Sequence, residues 1–495
     1  MLTGVFQLDS LDQETLGILS LILSERNSLA PIDRLPLDVL TLIPDFWDRP
    51  ERGKAIIAVT HVCRAWREMF ISRASLWTEF HCVDEDKTRV YLERSKSALI
   101  DVWLTGRLGS SPNDPFLDVV PRAIRRLKCL SLAIMPDRFQ DIIQHLAHPA
   151  PFLEALEIGC GYVRPNPVLP TELFDGDLSS LRKLRISSVW TQLPWRNMGK
   201  LTSLSLAFFS GPAIFVGQIL EFFQSAPLLR EVSLFFVVPM SGACGGGLVT
   251  LSHLRKLSIC ESQPPHFLLN HLIIPVGANL FTEFDSPGPK IDDHLPKSFD
   301  NLRNFSHFTK IRLRYDLLSH VSMQFTGPNG QVCIASSFPS PDATEAVPRS
   351  LARFDTSKTR CLEIVNSGFT TGLYEALASL TNLHALIISR CVDQPAFLVG
   401  LKNTLFPNGS VVCPKLEELV IRTSEPSTVR YMAETAELRA SKGSPLKLVK
   451  VVSFGEPVST EWVAGLQRHV SCVETSVEVD DGDRNALDRH EDEDL

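Results

Sequence analysis

Residues 153–158 read Leu-Glu-Ala-Leu-Glu-Ile, with aliphatic side chains at the first, fourth and sixth positions. This pattern, L-x-x-L-x-L with other aliphatic or aromatic residues allowed, recurs along the chain. The units begin at Leu127, Leu153, Leu181, Leu201, Leu229, Leu254, Phe308, Leu383, Leu416 and Leu446. The last two apolar residues of each unit are two positions apart, so in a strand their side chains point to one face. The pattern predicts a series of strands that share one apolar face.

Helical stretches are predicted between these units, at 139–146, 215–224, 372–380, 429–439 and 462–469. The first units follow one another at intervals of 20 to 28 residues, which is typical of leucine-rich repeats. Strand and helix in alternation predict a curved parallel sheet backed by helices. The asparagine that usually follows the third aliphatic residue is mostly missing, so we expect irregular repeats.

The repeat is interrupted between residues 314 and 358. Residues 321–325 and 331–336 flank Gly327-Pro328-Asn329-Gly330, which predicts a β-hairpin with an Asn-Gly turn. The Ser/Pro-rich residues 337–350 that follow are predicted to form a mobile loop.

The N-terminal part has helical periodicity. Residues 11–26 predict one helix, and a helical block is predicted over residues 32–80. In that block a first helix follows Pro36, and a second is predicted from Lys54 to Phe70. About fifty residues make a marginal core, so exposed apolar side chains on such a block favour a partner.

Composition and motifs give no positive sign of catalysis. The net charge is −8, and most of it comes from the acidic residues after 477, so a basic surface for nucleic acid is not expected. The 11 cysteines lack C-x-x-C or zinc spacing, which indicates reduced thiols used as small apolar residues. Residues 242–247 are glycine-rich but match no phosphate-binding motif. No cofactor, metal or catalytic residue is therefore predicted, although residues far apart in the sequence could still converge.

No secretory signal and no apolar run of membrane-spanning length is present, so we expect a cytoplasmic or nuclear protein without membrane association. Five segments are predicted: an N-terminal helical segment (1–31), the helical block (32–80), a connector (81–126), a repeat domain (127–475) and an acidic disordered tail (476–495). The fold class is thus a small all-α unit followed by an α/β solenoid.

Three short segments of the helical block occur together: Leu35-Pro36-Leu37-Asp38-Val39-Leu40, Val62-Cys63-Arg64-Ala65-Trp66-Arg67 and Leu76-Trp77. In this order they resemble an F-box, and the whole chain is similar to fungal F-box proteins with irregular leucine-rich repeats. The resemblance implies a non-catalytic subunit that binds the adaptor of a Skp–cullin–F-box ubiquitin ligase and, through it, cullin. The residues that match the motif are Leu35, Pro36, Val39, Leu40, Ile43, Val62, Cys63, Trp66, Leu76 and Trp77.

The sequence departs from the family at Pro44, where an aromatic residue usually stands. Proline predicts that the first helix of the block ends near Leu42, and that Phe46 or Trp47 supplies an aromatic contact instead. An alternative is an interaction scaffold whose degraded F-box joins no ligase, and a third possibility is an enzyme with a dispersed site. In the repeat units the residues between the aliphatic ones point away from the core. Their candidates for binding an unknown protein substrate are Arg185, Phe235, Lys256, Ile387 and Arg422.

Overall fold

The structure is a computed structural model, and its two compact units comprise residues 1–200 and 201–495. It describes residues 3–47, 49–81, 85–104, 121–161, 166–170, 173–191, 197–207, 214–237, 239–240, 247–261, 266–285, 295–296, 298–316, 320–337, 343–367, 370–391, 393–403, 411–425, 428–455 and 457–478. The predicted tail (476–495) begins too early, because residues 476–478 belong to the last strand, Cys472–Glu478. The remainder of the tail and the glycine-rich residues 242–246 lie outside this part of the chain.

The first unit begins with helices and continues into a parallel sheet. Its helices are α1 (Thr3–Ser28), α2 (Leu37–Leu42), α3 (Arg49–Val59), α4 (Arg64–Ser72), α5 (Glu85–Arg94) and α6 (Phe139–Ile143). Its strands are β1 (Glu79–His81), β2 (Ile100–Leu104), β3 (Leu127–Ile134), β4 (Ala155–Cys160) and β5 (Lys183–Ser187). Each strand pairs in parallel with the next one along the chain. The N-terminal helix predicted over residues 11–26 is confirmed as part of α1.

The helical block differs from the prediction in one respect. A single helix was expected from Lys54 to Phe70, and this is wrong because α3 ends at Val59 and α4 begins at Arg64. Cys63 is extended and caps α4, since its sulfur accepts a hydrogen bond from the Trp66 backbone N–H at 3.5 Å. The end of α2 at Leu42 confirms the effect expected of Pro44, and a 3-10 turn (Ile43–Phe46) follows.

The predicted connector, residues 81–126, requires a correction. It contains α5 and β2, and β2 pairs with both β1 and β3 in the sheet. Ile100, Val102 and Leu104 alternate with more exposed residues and are fully buried. This short alternating stretch carries the strand signal without the complete L-x-x-L-x-L pattern, so the sheet begins before the first predicted unit.

The second unit continues the alternation of strands and helices. Its helices are α7 (Val216–Ser225), α8 (His266–Leu269), α9 (Ala343–Ser350), α10 (Thr371–Ser379), α11 (Gln394–Asn403), α12 (Thr428–Ser441) and α13 (Thr460–Gln467). Its longer strands are β6 (Ser203–Ala207), β8 (Glu231–Phe235), β11 (Lys256–Glu261), β13 (Asn279–Asp285), β14 (Lys310–Asp316), β15 (His320–Gly327), β16 (Gly330–Ser337), β17 (Cys361–Val365), β18 (Ala385–Ser389), β19 (Glu418–Thr423), β20 (Leu448–Phe454) and β21 (Cys472–Glu478). Two-residue strands are β7 (Ile214–Phe215), β9 (Pro239–Met240), β10 (Val249–Thr250) and β12 (Leu272–Ile273).

The predicted hairpin is confirmed, and it lies within the sheet of the second unit. β16 pairs in parallel with β13, β15 pairs antiparallel with both β16 and β14, and β14 continues in parallel to β17. The expected Asn-Gly turn is wrong in detail, because Pro328 and Asn329 form the turn and Gly330 already pairs with Gly327. The hairpin therefore widens a mostly parallel sheet and adds its only antiparallel pairings among the described strands.

The loop predicted at 337–350 also needs correction, because residues 343–350 form α9. Glu345 explains the local order. Its carboxylate pairs with Arg349 at 2.6 Å and accepts hydrogen bonds from the Thr371 hydroxyl and the Gly372 N–H at the start of α10. These contacts connect α9 to α10. The Ser/Pro-rich composition of the segment did not predict α9.

All ten predicted repeat units contain a strand, which confirms a large, mostly parallel sheet with helices in place of a purely helical or antiparallel fold. The aliphatic side chains at the paired positions form the core. Leu386, Ile388, Leu419 and Ile421 are each fully buried on β18 and β19. The residues between them form the other face of the sheet, here called the open face.

Candidate interaction surfaces

The helical block has a compact aromatic core. Trp66 lies 5.7 Å from Phe70 between ring centroids, and the Trp77 indole N–H donates to the Phe70 carbonyl at 2.9 Å. The Trp77 ring also meets Tyr91 of α5 edge-on at 4.9 Å. The Arg94 guanidinium lies over the Trp77 ring, 4.3 Å from its centroid. Burial of these large rings is the main source of stability for so small a unit.

Four of the sequence-predicted adaptor residues belong to this core. Leu40, Trp66, Leu76 and Trp77 are buried by the block itself. Their side chains mainly fill the core of the block in this conformation, and their assignment as adaptor contacts stays a prediction. An apolar motif in the sequence is compatible with both core packing and partner contact, because the residue types that fill a core also suit an interface.

The other predicted residues lie at the surface. Leu35, Pro36, Val39 and Val62 are exposed, while Ile43 and Cys63 are intermediate. Leu42 and Phe46 are exposed as well, and Phe46 is 86% exposed. Four of these exposed residues form what we call the apolar ridge: Leu35, Val39, Leu42 and Phe46. Val39 and Leu42 lie on α2, Leu35 precedes it in extended backbone, and Phe46 ends the 3-10 turn that follows. Sequence reasoning did not single out Leu42 or its exposure, although its spacing from Val39 could have indicated it.

Pro44 and Phe46 lie in the same 3-10 turn but differ in burial. Pro44 is buried, and the 3-10 turn that contains it ends at Phe46, whose ring points out of the core. Trp47, the other aromatic residue considered, is only partly exposed. Phe46 is thus the better placed of the two to contact a partner.

The open face of the first unit carries a row of contacting side chains. The His81 and Trp103 rings lie 5.6 Å apart at adjacent strands, and Ser131 donates to Glu157 at 3.1 Å. Arg185, a predicted substrate residue, forms an exposed ion pair with the same Glu157 at 3.5 Å. Trp103 was missed because it falls in the segment predicted as a connector. The available sequence signal was a tryptophan between the aliphatic residues Val102 and Leu104, and the structure shows that its side chain is partly exposed.

The remaining predicted substrate residues lie on the second unit. Lys256 opens β11 opposite Glu231, and Phe235 at the other end of β8 is level with Cys260. Ile387 and Arg422 lie on the neighbouring strands β18 and β19. The structure therefore separates the five candidates into at least three places: Arg185 on the first unit, the β8–β11 pair, and the β18–β19 pair.

Charged side chains on the open face of the second unit largely neutralise one another. Lys310 and Arg312 of β14 both pair with Glu363 of β17, at 2.8 and 3.4 Å. Lys450 of β20 pairs with Glu474 of β21 at 3.5 Å. Such alternating signs suit a mixed protein segment better than a polyanion.

Groups that could bind a metal or act as a nucleophile are the ones that bear on catalysis in the described part of the chain. No group of three or more His, Cys, Asp or Glu side chains there could hold a metal ion. Burial raises the pKa of the thiols of Cys129, Cys333 and Cys413 to about 12, and a thiol with a raised pKa is a poor nucleophile. Within the described residues no helix combines the length and apolar character needed to cross a membrane.

The fold and these surfaces define a class of protein only coarsely, as a mostly parallel α/β sheet protein with an N-terminal helical block. Comparison with models of protein families finds no match, and comparison with curated proteins finds none either.

Proposed function

We propose that the chain is the substrate-recognition subunit of a Skp–cullin–F-box ubiquitin ligase. In this proposal the helical block is an F-box, the apolar ridge binds the ligase adaptor, and the sheet domain is an irregular leucine-rich-repeat solenoid that holds a protein substrate. The observation that carries the proposal is the apolar ridge: four exposed apolar side chains on and beside α2, in a block that already has its own core.

Hydrophobic burial explains why the ridge favours a protein partner. Water contact with Leu35, Val39, Leu42 and Phe46 is unfavourable, and burial of one such side chain is worth about 1.5–3 kcal/mol. Exposed apolar side chains on and beside a short helix suit a hydrophobic groove of a partner. Leu40 is buried and anchors α2, the helix that carries Val39 and Leu42, so this part of the ridge is preorganised.

The proposed role needs no active site in this chain. A receptor that binds adaptor and substrate together raises the effective concentration of substrate near the ubiquitin-loading enzyme. The open faces offer the substrate contacts, with Trp103 and Arg185 on the first unit and Phe235, Lys256, Ile387 and Arg422 on the second. Mixed charges and half-exposed apolar side chains favour a protein segment as substrate.

A second candidate is an interaction scaffold that no longer joins a ligase. Pro44 favours it, because the proline limits α2 to Leu37–Leu42 and turns the following residues into a 3-10 helix. The loss of an aromatic residue at position 44 does not decide against the ligase role, since the exposed ring of Phe46 can make the aromatic contact instead.

Capture of the full chain by immobilised Skp-type adaptor tests the proposal. We expect the wild-type chain to be retained, and a chain lacking residues 32–80 to be lost. Val39→Asp should also abolish capture, because it places a charge on the ridge at a residue that is 42% exposed and outside the core.

Val168→Asp is the matched control, since Val168 is 47% exposed but lies in the sheet part of the first unit. Equal capture of both variants would reject the ridge as the adaptor surface, and no capture of the wild type would favour the scaffold.

A further inference from the structure

The last strand of the second unit, β21, has a free edge among the described residues. β21 pairs in parallel with β20 over Cys472–Glu478, and no other described strand pairs with it. It is seven residues long, contains no proline, and its side chains are almost all exposed, including Val477 at 52%. An exposed edge of this length is a template for pairing with another chain, and the charged side chains on it are Glu474 and Glu478.

Backbone hydrogen bonds show which residues face this edge. The Cys472 N–H donates to the Lys447 carbonyl at 2.9 Å, and the Glu478 carbonyl accepts from the Gly455 N–H at 3.4 Å. Backbone groups alternate in direction along a strand. Those of Cys472, Glu474, Ser476 and Glu478 therefore point to β20, while those of Val473, Thr475 and Val477 point outward.

We propose that β21 pairs antiparallel with β21 of a second copy of this chain, with Thr475 opposite Thr475 of that copy. In this register Val473 faces Val477, and every outward-pointing residue meets another outward-pointing residue. Each of these pairs exchanges two backbone hydrogen bonds, as antiparallel geometry requires. The pairing is symmetric, so one patch serves both chains.

Side chains agree with the same register. Val473, Thr475 and Val477 share the face of the sheet toward α13, so pairing covers the exposed Val477 with an aliphatic neighbour. On the open face Glu474 lies opposite Ser476, and Glu478 lies opposite Cys472, so no two carboxylates are directly opposed. A second copy is thus the occupant that this sequence fits, rather than an arbitrary extended peptide.

An engineered disulfide tests the register directly. Cys472 is exposed and free, and its partner in the proposed dimer is Glu478. The backbone groups of both residues point to β20, so in the dimer they form a non-hydrogen-bonded antiparallel pair. The Cα atoms of such a pair lie about 4.5 Å apart, within the range of a disulfide. In the full chain, Glu478→Cys should therefore yield a covalent dimer on mild oxidation. The additional change Cys472→Ser should prevent it, and Glu474→Cys, which introduces a thiol opposite Ser476, should crosslink far less.

Analytical ultracentrifugation of the full chain supplies the second readout. We expect a reversible dimer whose dissociation constant rises at least about tenfold in Thr475→Pro, because proline removes an outward N–H without affecting the bonds to β20. Thr475→Val retains that N–H and should dimerise as the wild type does. A wild-type chain that stays monomeric at every accessible concentration, or equal crosslinking of Glu478→Cys and Glu474→Cys, would overturn the proposal.

Discussion

At the scale of single residues, Glu261 shows how burial changes the chemistry of a side chain. It occupies the core face of β11, where Leu257 and Ile259 precede it, and it is only 1% exposed. One carboxyl oxygen accepts the Val237 N–H at 2.9 Å, and the other has no partner among the described residues. Loss of water raises the pKa of Glu261 to about 9, so the folded chain holds this carboxyl neutral at neutral pH.

A pH dependence of stability follows from this shift. The unfolded chain ionises Glu261 near its ordinary pKa of 4.5, whereas the folded chain keeps the proton until about pH 9. The unfolded state binds fewer protons over that interval, so this residue makes stability fall as pH rises. We expect Glu261→Gln to melt at a higher temperature than the wild type at pH 8, and to differ much less at pH 5.

Thermal unfolding at the two pH values measures the effect. Glu231→Gln is the control, because Glu231 is exposed on the open face of β8 and removal of its charge should leave the pH profile unchanged. A wild-type profile that Glu261→Gln does not flatten would mean that the carboxyl is ionised in the folded chain.

At the scale of elements, the helical block depends on a few large side chains. Trp66 lies on α4, is 7% exposed, and contacts the Phe70 ring one turn later. Because the block is small, each aromatic residue fills a large share of its core. The stability of the block therefore depends strongly on the aromatic residues of α4.

Trp66→Ala should destabilise the block by about 3–5 kcal/mol, the usual cost of truncating a buried aromatic side chain. Trp66→Phe retains most of the apolar volume and should cost much less. Hydrogen exchange of the amides in α3 and α4 reports the loss locally, while those of β18 to β20 in the other unit serve as an internal reference. Unchanged exchange in α3 and α4 would show that Trp66 does not support the block.

The elements also show what sequence alone could predict. Aliphatic spacing placed the strands of all ten repeat units, because the same side chains form the core in the structure. It missed β2 and α9, since Ile100-Asp101-Val102-Trp103-Leu104 is a shorter pattern and α9 is ordered by contacts of Glu345 with α10. It also joined α3 and α4 into one helix, because the cap at Cys63 uses a sulfur that is not a usual helix-start signal.

The sequence predicted which residues make up the candidate interaction surface and the core beneath it, but not which of their side chains point outward. Trp66 and Val62 are both apolar residues of the motif, yet Trp66 is buried and Val62 is exposed. That difference arises from the packing of α2, α3 and α4 against one another, which involves residues far apart in the sequence. Sequence periodicity therefore indicated the block, and only its packing separates core from ridge.

At the scale of the whole molecule, the proposed function divides the work between parts of the chain. The helical block supplies a fixed apolar contact, and the sheets supply broad faces with balanced charge. Pairing of β21 between two copies would make the receptor bivalent, which raises its avidity for a substrate with two binding segments. The ligase proposal and the dimer proposal use different surfaces, so failure of one leaves the other open to test.

Calorimetric titration of purified Skp-type adaptor into the full chain tests the central claim most directly. The account predicts binding to the wild type and to Val168→Asp with the same dissociation constant. It predicts a dissociation constant at least about tenfold higher for Phe46→Ala, because a large exposed aromatic side chain that becomes buried against a partner contributes strongly to affinity. Absence of binding by the wild type, or an unchanged constant for Phe46→Ala and Val39→Asp alike, would contradict the claim that the apolar ridge binds the adaptor.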